Sequence, residues 1–201
     1  MYNDDMDTEI EVKFVGVDHD AVRTKLKELG GECEQPMRTM KRTTLDNDFL
    51  RTGKDSFVRV RDEGHRVTMT YKQFDSLSLH GAKEIEFVVS DYDKAVEFLK
   101  QTGLQARSTQ ETKRENWRLG DVEIMLDEWP WLDPYIEIEG ASEEDVRRVA
   151  EQLGYEWHHG VYGDVMAAYR VQYPHLTEKD TVGNIPEVKF GDPLPDILQT
   201  H

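Results

Sequence analysis

The chain has 201 residues, of which 37% are hydrophobic and 33% are charged, and its formal net charge is -16. This length and apolar content are enough for one sizeable core, so we expect one domain plus a tail. The acidic balance argues against nucleic acid and anionic membranes as partners, and the single cysteine, Cys33, excludes an intramolecular disulfide framework and a cysteine-rich zinc site.

Strands and helices follow one another in the predicted order of elements. Alternating apolar and polar residues predict strands at residues 9–16, 40–45, 57–61, 67–74, 83–89, 112–119, 122–126 and 135–139. Helices follow three of these strands, with N-caps predicted at Asp18 or Asp20, at Ser90 and at Ser142, and with glycines at their ends. A last short helix is predicted over residues 162–169.

The pattern divides the chain into three segments. Residues 1–8 are predicted to be a flexible lead, and residues 9–175 the folded domain. Residues 176–201 are predicted to be an extended or disordered tail, because prolines and glycines recur there without periodicity. The N-terminus is acidic and polar and no apolar run reaches membrane-spanning length, so we expect no membrane association and a cytoplasmic location.

Charges of one sign are gathered on single strands. Because side chains alternate between the two faces of a strand, residues two apart share a face. Acidic pairs of this kind are Glu9 and Glu11, Glu84 and Glu86, and Glu137 and Glu139; basic residues lie at Arg59 and Arg61, at Lys72 and at Arg114. An ordinary α+β sandwich with a solvated charged face is the alternative. Segregation by sign favours instead a closed sheet with a charged interior, since solubility alone favours interspersed signs.

The two kinds of pair suit two kinds of ligand. A Glu-x-Glu pair places two carboxylates roughly 7 Å apart on one face, and carboxylate oxygens are ligands for hard divalent cations. Arg-x-Arg pairs suit a polyanion, because guanidinium groups bind phosphate oxygens in a fork. Both in one cavity predict a nucleotide or inorganic polyphosphate bound together with a metal ion.

The ordered series of charges resembles the CYTH superfamily, the triphosphate tunnel metalloenzymes. The resemblance starts at Glu9-x-Glu11-x-Lys13 and covers about residues 9–170; it continues through Arg59-x-Arg61, Lys72, Glu84-x-Glu86, Arg114, Asp127 and Glu137-x-Glu139. It implies an α+β fold in which a closed eight-stranded antiparallel β-barrel, the triphosphate tunnel, has helices packed outside. It also implies a small-molecule triphosphate as ligand (tripolyphosphate, ATP or thiamine triphosphate) and Mg²⁺ or Mn²⁺ as cofactor. The resemblance leaves the oligomeric state open, and a homodimer is one alternative.

The resemblance assigns a role to each residue. It implies that Glu9, Glu137 and Glu139 hold a metal ion that orients the triphosphate, and that Glu11 helps to hold a second ion that activates the attacking group. Asp127 is a further ligand. The implied phosphate-binding residues are Lys13, Arg59, Arg61, Lys72 and Arg114, and Glu84 and Glu86 are further tunnel acids. The catalytic residues are then Glu11, Lys13 and Arg114, and Tyr162 matches a tyrosine that opens the last helix of the family.

One position departs from the cyclase-like members of the family. They often carry Lys-x-Arg on the strand where this chain has Thr112-Lys113-Arg114, and we expect Lys113 to point to the opposite face. The sequence is closer here to the thiamine triphosphatase-like members. We therefore expect a metal-dependent hydrolase of inorganic or organic triphosphates. A class IV adenylyl cyclase and a non-catalytic polyphosphate- or nucleotide-binding module are the alternatives.

Other conspicuous residues are interpreted as structural. His158 and His159 could ligate a metal, but neighbours on a strand point apart and no third ligand is evident nearby. Trp129 and Trp131 could stack on a base, although packing of a loop against the barrel is the simpler interpretation. Cys33 has no basic neighbour in sequence that would activate its thiol.

Overall fold

The computed structural model describes residues 7–8, 10–54, 56–74 and 82–200. The strands are β1 Asp7–Thr8, β2 Glu11–Val15, β3 Glu32–Asp46, β4 Ser56–Asp62, β5 Val67–Phe74, β6 Ala82–Val89, β7 Gln105–Leu119, β8 Val122–Trp129, β9 Leu132–Glu139 and β10 Glu187–Val188. The α-helices are α1 His19–Glu28, α2 Asp48–Lys54, α3 Tyr92–Gln101, α4 Glu143–Leu153 and α5 Val165–Gln172, and short 3-10 helices cover Trp157–His159, Val182–Asn184 and Asp196–Leu198. Within these ranges, no helix combines the length and the apolarity needed to cross a membrane.

The strands form one curled, antiparallel sheet. They are hydrogen-bonded in the order β1-β6-β5-β4-β3-β7-β8-β9-β2, and β10 pairs in parallel with β7. The two ends of this order are neighbours in the chain, because residues 7–8 pair with β6 and residues 11–15 pair with β9. The predicted α+β class and antiparallel sheet are confirmed. Complete closure of the sheet into a barrel stays a prediction, since residue 9, which connects the two end strands β1 and β2, lies outside the described residues.

Helices cover the outer, apolar face of the sheet, and the charged side chains line its inner face. Helices α1 and α4 pack on the outer face of β2, β8 and β9, around fully buried Val12, Ile124, Ile136 and Ile138. Helix α3 packs similarly over Leu45 and Val60. The caps of α1 and α4 are Asp18 and Ser142, as predicted, and Gly154 ends α4 in a left-handed conformation that favours glycine. The cap of α3 is Asp91, one residue after the predicted Ser90.

Several elements differ from the predicted bounds. Strands β3 and β7 are longer than expected, with 15 residues each, because they pair with each other along their length through register shifts. Helix α2, which follows β3, is not among the predicted helices, and the last α-helix begins at Val165, after its cap Asp164, and not at residue 162. Between β8 and β9, Pro130 and Trp131 form a two-residue turn in which Trp131 has φ 64.

The segment after residue 175 is packed, unlike the predicted extended or disordered tail. Leu176, Val182 and Leu198 are buried in a cluster with Trp129 and Tyr169. The segment also adds β10 to the sheet, and Trp131 Nε1 donates a hydrogen bond to the carbonyl of Asp192 at 2.9 Å. The sequence lacks periodicity here because single apolar residues, and not a continuous face, make the contacts. The predicted domain boundary near residue 175 stays a prediction.

Candidate functional site

The curled sheet encloses a polar cavity of about 260 Å³, which we call the tunnel. Its wall contains the predicted site residues that the structure describes: Glu11, Lys13, Arg59, Arg61, Lys72, Glu84, Glu86, Arg114, Asp127, Glu137 and Glu139. Glu9 lies outside the described residues. The strand alternation that predicted a shared face therefore brings these side chains together, whereas their individual roles stay predictions.

The acidic side of the tunnel is organised around two cations. Lys13 Nζ lies 2.7 Å from Glu11 Oε1 and 3.4 Å from Glu137 Oε1. Arg114 donates from Nε and Nη2 to the two carboxylate oxygens of Asp127 at 2.7 and 2.6 Å, and its Nη2 is also 2.6 Å from Glu137 Oε2. Register explains these contacts, because Lys13 faces Glu137 across β2 and β9, and Arg114 faces Asp127 across β7 and β8.

Burial and charge shift the pKa values of these carboxyls in opposite directions. Burial disfavours the Glu137 carboxylate, but Lys13, Arg114 and Lys72 together hold the pKa of Glu137 well below its usual range. Burial raises the pKa of Asp127, Arg114 opposes the shift, and the neighbouring Glu137 adds to it. Glu137 is thus an anion at neutral pH, as a metal ligand must be.

The donor set fits a hard divalent cation. The tunnel acids Glu11, Asp127, Glu137 and Glu139 offer only oxygen atoms, on adjacent strands β2, β9 and β8. In the described part of the chain, no three of these carboxylates bring their oxygens within 4.8 Å of one another. Such spacing suits Mg²⁺, which is usually held by one or two carboxylates together with water and substrate phosphates.

The opposite side of the tunnel is cationic and incompletely paired. Arg59 Nη2 donates to Thr70 Oγ1 at 3.1 Å and to Glu86 Oε2 at 3.3 Å, and Arg61 Nη2 lies 2.5 Å from Glu63 Oε1. The Nε atoms of Arg59 and Arg61 are nevertheless buried and have no hydrogen-bond partner among the described residues. Burial, together with Arg59 and Arg114, lowers the pKa of Arg61 to about 10. An anion in the tunnel would remove both penalties.

Sequence reasoning missed Arg42, which also lines the tunnel. Its guanidinium stacks on the Trp129 ring, 4.0 Å from the centroid, and its Nε donates to Gln110 Oε1 at 2.7 Å. Among the described residues, Arg42 has no carboxylate within ion-pair distance. Burial and then Arg59 lower the pKa of Arg42 to about 9, so it stays protonated at neutral pH without a counter-anion. The available signal was the spacing of Arg38 and Arg42, which places both on one face of β3.

Other tunnel residues without a predicted role support the cations. Glu63 is 2% exposed; burial opposes its ionisation, but Arg61 and Arg66 lower the pKa of its carboxyl. Arg38 donates to the Glu63 and Arg114 carbonyls, both at 3.1 Å, and so fixes the backbone next to Arg114. Further wall residues include Arg66, Asn116, Glu123, Tyr135 and Asp164.

Thr112, the position that departs from the cyclase-like members of the family, lies in the tunnel wall. Thr112 is buried in the wall, and no lysine replaces it on that strand, since Lys113 pairs with Glu128 at 2.9 Å. The prediction that Lys113 points away from the tunnel is confirmed. Tyr162 packs edge-on against Trp157 with ring centroids 6.2 Å apart, and it does not line the tunnel.

The interpretation of His158 and His159 rested on a wrong secondary structure. Both belong to a 3-10 helix and not to a strand, so their rings come within 4.0 Å of each other. Glu156 lies beside them, a neighbour that was not evident in the sequence, and one potential ligand atom from each of the three residues falls within 4.8 Å of the others. All three side chains are exposed and lie outside the tunnel wall. Of the two tryptophans, only Trp131 packs as expected, since it lies in a turn and contacts the C-terminal segment; Trp129 is buried at the end of β8 and lines the tunnel.

A family model for the CYTH domain matches residues 7–161, which is more than half of the chain. No curated protein gives a significant match. Among solved structures, a protein from Pyrococcus horikoshii OT3 aligns with TM-score 0.66 and 21% identity over 80% of this chain and 98% of its own. An adenylate cyclase candidate from Vibrio parahaemolyticus aligns with TM-score 0.66 and 15% identity, over 79% of this chain and 95% of its own.

A third structure, from Hippeastrum, is of an adenylyl cyclase candidate whose dominant activity is that of a triphosphatase. It aligns with TM-score 0.54 and 16% identity, over 85% of this chain and 98% of its own. At these identities the likeness establishes the fold alone.

Proposed function

Because this chain belongs to the CYTH domain family, we propose that it is a divalent-metal-dependent triphosphatase that releases phosphate from a triphosphate substrate. The observation that carries the proposal is that carboxylates and cations line one cavity, in which the buried Nε atoms of Arg59 and Arg61 have no hydrogen-bond partner and Arg42 has no carboxylate partner among the described residues. A site that only captured anions would need the cations and would gain nothing from the buried carboxylates Asp127 and Glu137. The family membership and the activity of the Hippeastrum protein support the same reaction class.

In the proposed mechanism the chain binds the triphosphate within a closed tunnel formed by residues 9–175. Arg59, Arg61 and Lys72 contact the phosphates, and the unpaired Nε atoms of the two arginines are donors that phosphate oxygens would satisfy. Arg42 extends this cationic wall. Donors fixed in a desolvated site stabilise charge without reorganisation during the reaction.

The carboxylate side completes the site. Glu11, Glu137 and Glu139, with Glu9 and Asp127, would hold Mg²⁺ or Mn²⁺, which supplies charge neutralisation and an activated water when bound. Lys13 and Arg114 connect the two sides, because each contacts Glu137 and also faces the tunnel. We propose that both contact the phosphoryl group that is transferred, and that Glu11 helps to position the attacking water.

Adenylyl cyclase activity is the second candidate, since it is the activity suggested for several proteins of the same fold. Cyclisation needs the ribose hydroxyl positioned against the α-phosphorus, whereas hydrolysis of the terminal phosphate needs only the residues that bind the triphosphate and a water. The neutral, buried Thr112 where cyclase-like members carry lysine favours hydrolysis.

Product analysis with Mg²⁺ and Mn²⁺ tests the proposal. Purified protein is incubated with tripolyphosphate, thiamine triphosphate or ATP, and phosphate, pyrophosphate and cyclic AMP are quantified. We expect phosphate release to exceed cyclic AMP formation and to stop when EDTA is added. Faster formation of cyclic AMP and pyrophosphate from ATP would establish the cyclase, and binding without any turnover would establish the binding module.

A further inference from the structure

Three possible metal ligands meet on the surface at the 3-10 helix Trp157–His159, outside the tunnel, and we call Glu156, His158 and His159 the surface cluster. One potential ligand atom from each residue falls within 4.8 Å of the other two. His158 Nε2 lies 3.3 Å and His159 Nδ1 lies 3.7 Å from the same oxygen, Glu156 Oε2. All three side chains are exposed, so a cation can reach them from solvent without any opening of the fold.

The spacing of these atoms is close to the ligand spacing of a tetrahedral zinc ion. Bonds from zinc to imidazole nitrogen and carboxylate oxygen are about 2.0–2.2 Å long, which separates neighbouring ligands of a tetrahedron by roughly 3.3–3.6 Å. One of the two distances to Glu156 Oε2 falls in this range and the other just above it. The rings of His158 and His159 are neighbours as well, with centroids 4.0 Å apart. Small rotations of exposed side chains, which are fast, therefore bring all three ligands onto one ion.

The backbone under the surface cluster is held firmly against the fold. Val161 exchanges two backbone hydrogen bonds with Lys13 of β2, both at 2.9 Å. Gly160 lies so close to β2 that a Cβ atom on it would be 2.6 Å from Val12 Cγ2. Trp157, between the ligands in sequence, is partly buried against the core. The three ligands thus extend from one ordered turn, and a metal that binds them orders little additional backbone.

The donor atoms of the surface cluster differ from those of the tunnel acids. Two imidazole nitrogens and one carboxylate oxygen suit Zn²⁺, Ni²⁺ and Cu²⁺, whereas Mg²⁺ prefers oxygen ligands. Among the described residues of the tunnel wall there are carboxylates but no histidine. The two places are therefore expected to select different metal ions.

We propose that the surface cluster binds one transition-metal cation of the zinc type through Glu156, His158 and His159, with water completing the coordination. This site is separate from the tunnel, and the inference does not rest on the proposed function. Three ligands from one exposed turn leave a coordination position open to solvent, unlike a closed structural zinc site with four protein ligands.

Zinc titration of tag-free protein at neutral pH tests the assignment, with excess Mg²⁺ present to compete at sites made of oxygen ligands alone. Isothermal calorimetry should show one Zn²⁺ site per chain that persists in Mg²⁺. Co²⁺ is the spectroscopic probe of the same site, and it should give the visible absorption of a nitrogen-ligated ion that Zn²⁺ then displaces.

Variants of the cluster locate the ion. His158→Ala and His159→Ala should each weaken Zn²⁺ binding by at least about tenfold, since even the loss of a group that only orients a ligand costs about 10–100-fold. Glu156→Gln should weaken it in the same direction, because the ligand charge is lost. Two controls should leave the affinity unchanged: His175→Ala removes an exposed histidine outside the cluster, and Cys33→Ser removes the exposed thiol. The exposed positions of the cluster let circular dichroism confirm that each variant is folded.

Absence of Zn²⁺ and Co²⁺ binding by the unmodified protein would overturn the inference. So would an unchanged Zn²⁺ affinity when His158 and His159 are both replaced by alanine, because the cluster would then be an ion pair only. Zinc binding that the double variant keeps but Glu137→Gln or Cys33→Ser loses would place the ion in the tunnel or on the thiol instead. Failure of phosphate release from every triphosphate contradicts the proposed function alone, since no residue of the cluster lines the tunnel.

Discussion

Two arginines in the tunnel wall, Arg42 and Arg114, have different hydrogen-bond partners. Arg42 is half-buried, it stacks on Trp129, and its one side-chain hydrogen bond among the described residues goes to the neutral Gln110. Arg114 is equally buried but is paired with Asp127 and Glu137. The two arginines therefore contribute differently to stability, although both line the tunnel.

Arg42→Met should leave the free energy of unfolding unchanged or higher, because it removes a buried cation that has no counter-anion. The same variant should raise the KM for a triphosphate by about tenfold or more, the scale of a lost charged hydrogen bond. Arg114→Met is the matched comparison and should cost about 3–5 kcal/mol of stability, since it removes the ion-pair partner of buried Asp127 and one of the two cations that contact Glu137. Urea unfolding and steady-state kinetics measure both effects. Equal destabilisation by the two variants would contradict this account.

Glu137→Gln tests the proposed metal ligand. The amide keeps the shape of the side chain, and its oxygen can still accept the hydrogen bond from Arg114, so we expect the fold to persist. Loss of the ligand charge should lower metal-dependent phosphate release by at least about a hundredfold, since metal stabilisation is worth several kcal/mol. Glu123→Gln, in the same wall but paired with Arg118, is the control. Unchanged turnover of Glu137→Gln at limiting metal would rule out the ligand role.

At the scale of elements, an ion pair between Arg23 and Glu115 joins helix α1 to strand β7 on the outer face of the sheet. Glu115 on β7 is 6% exposed and accepts hydrogen bonds from Arg23 of α1 at 3.0 Å and from Trp117 Nε1 at 2.6 Å. Burial disfavours the charged carboxyl, but the bonds from Arg23 and Trp117 lower the pKa of Glu115 below its ordinary value of 4.5. A group whose folded-state pKa is lowered stabilises the fold above its unfolded value, and this stability is lost as the pH falls through the folded-state value.

Glu115→Gln should therefore cost about 1–3 kcal/mol of unfolding free energy at pH 7. The difference from the unmodified protein should shrink as the pH falls below 4.5, where the carboxylate of the unfolded chain, and then that of the folded protein, becomes protonated. Urea unfolding at pH 7 and at lower pH measures this. If the difference in unfolding free energy stayed constant with pH, the cost of Glu115→Gln would come from altered packing or hydrogen bonding and not from the lost carboxylate charge.

The C-terminal segment behaves as a structural element although its sequence has no periodicity. Leu198 is 2% exposed, so Leu198→Ala should destabilise the protein by about 2–5 kcal/mol. Leu194→Ala, at a position 40% exposed in the same segment, should cost much less. Thermal unfolding of the two variants gives the comparison. No effect of Leu198→Ala would support the free tail that the sequence predicted.

On the scale of the whole molecule, a chain with a net charge of -16 places both carboxylates and cations in the tunnel wall. Burial and the neighbouring cations lower the pKa values of Arg42 and Arg61, and an anionic ligand relieves this repulsion between cations only in the folded state. At a free concentration of 100 times Kd, tripolyphosphate with Mg²⁺ should stabilise the protein by about 2.7 kcal/mol. This corresponds to roughly 5–10 °C in Tm for a chain of this size, and scanning calorimetry measures it. Sulfate at equal ionic strength is the control, and an equal shift with sulfate would indicate general screening.

The sequence by itself determined the identity of most charged residues in the tunnel wall. Alternation along a strand is a local property of the backbone, so Glu11 and Lys13, or Arg59 and Arg61, share a face whatever the rest of the chain does. The order of these charges was also enough to indicate the family. Helix caps such as Asp18 and Ser142 were predictable for the same reason, because they depend on a few neighbouring residues.

Only the tertiary structure decided which charges are paired. Arg42 and Arg114 look alike in sequence. The register of β3 with β7 places Arg42 beside the neutral Gln110, whereas the register of β7, β8 and β9 places Arg114 beside Asp127 and Glu137. The packing of residues 176–200 likewise depends on contacts between residues far apart in the chain. Such contacts leave no periodic pattern, because burial of single side chains such as Leu198 is set by the surface they meet and not by their neighbours in sequence.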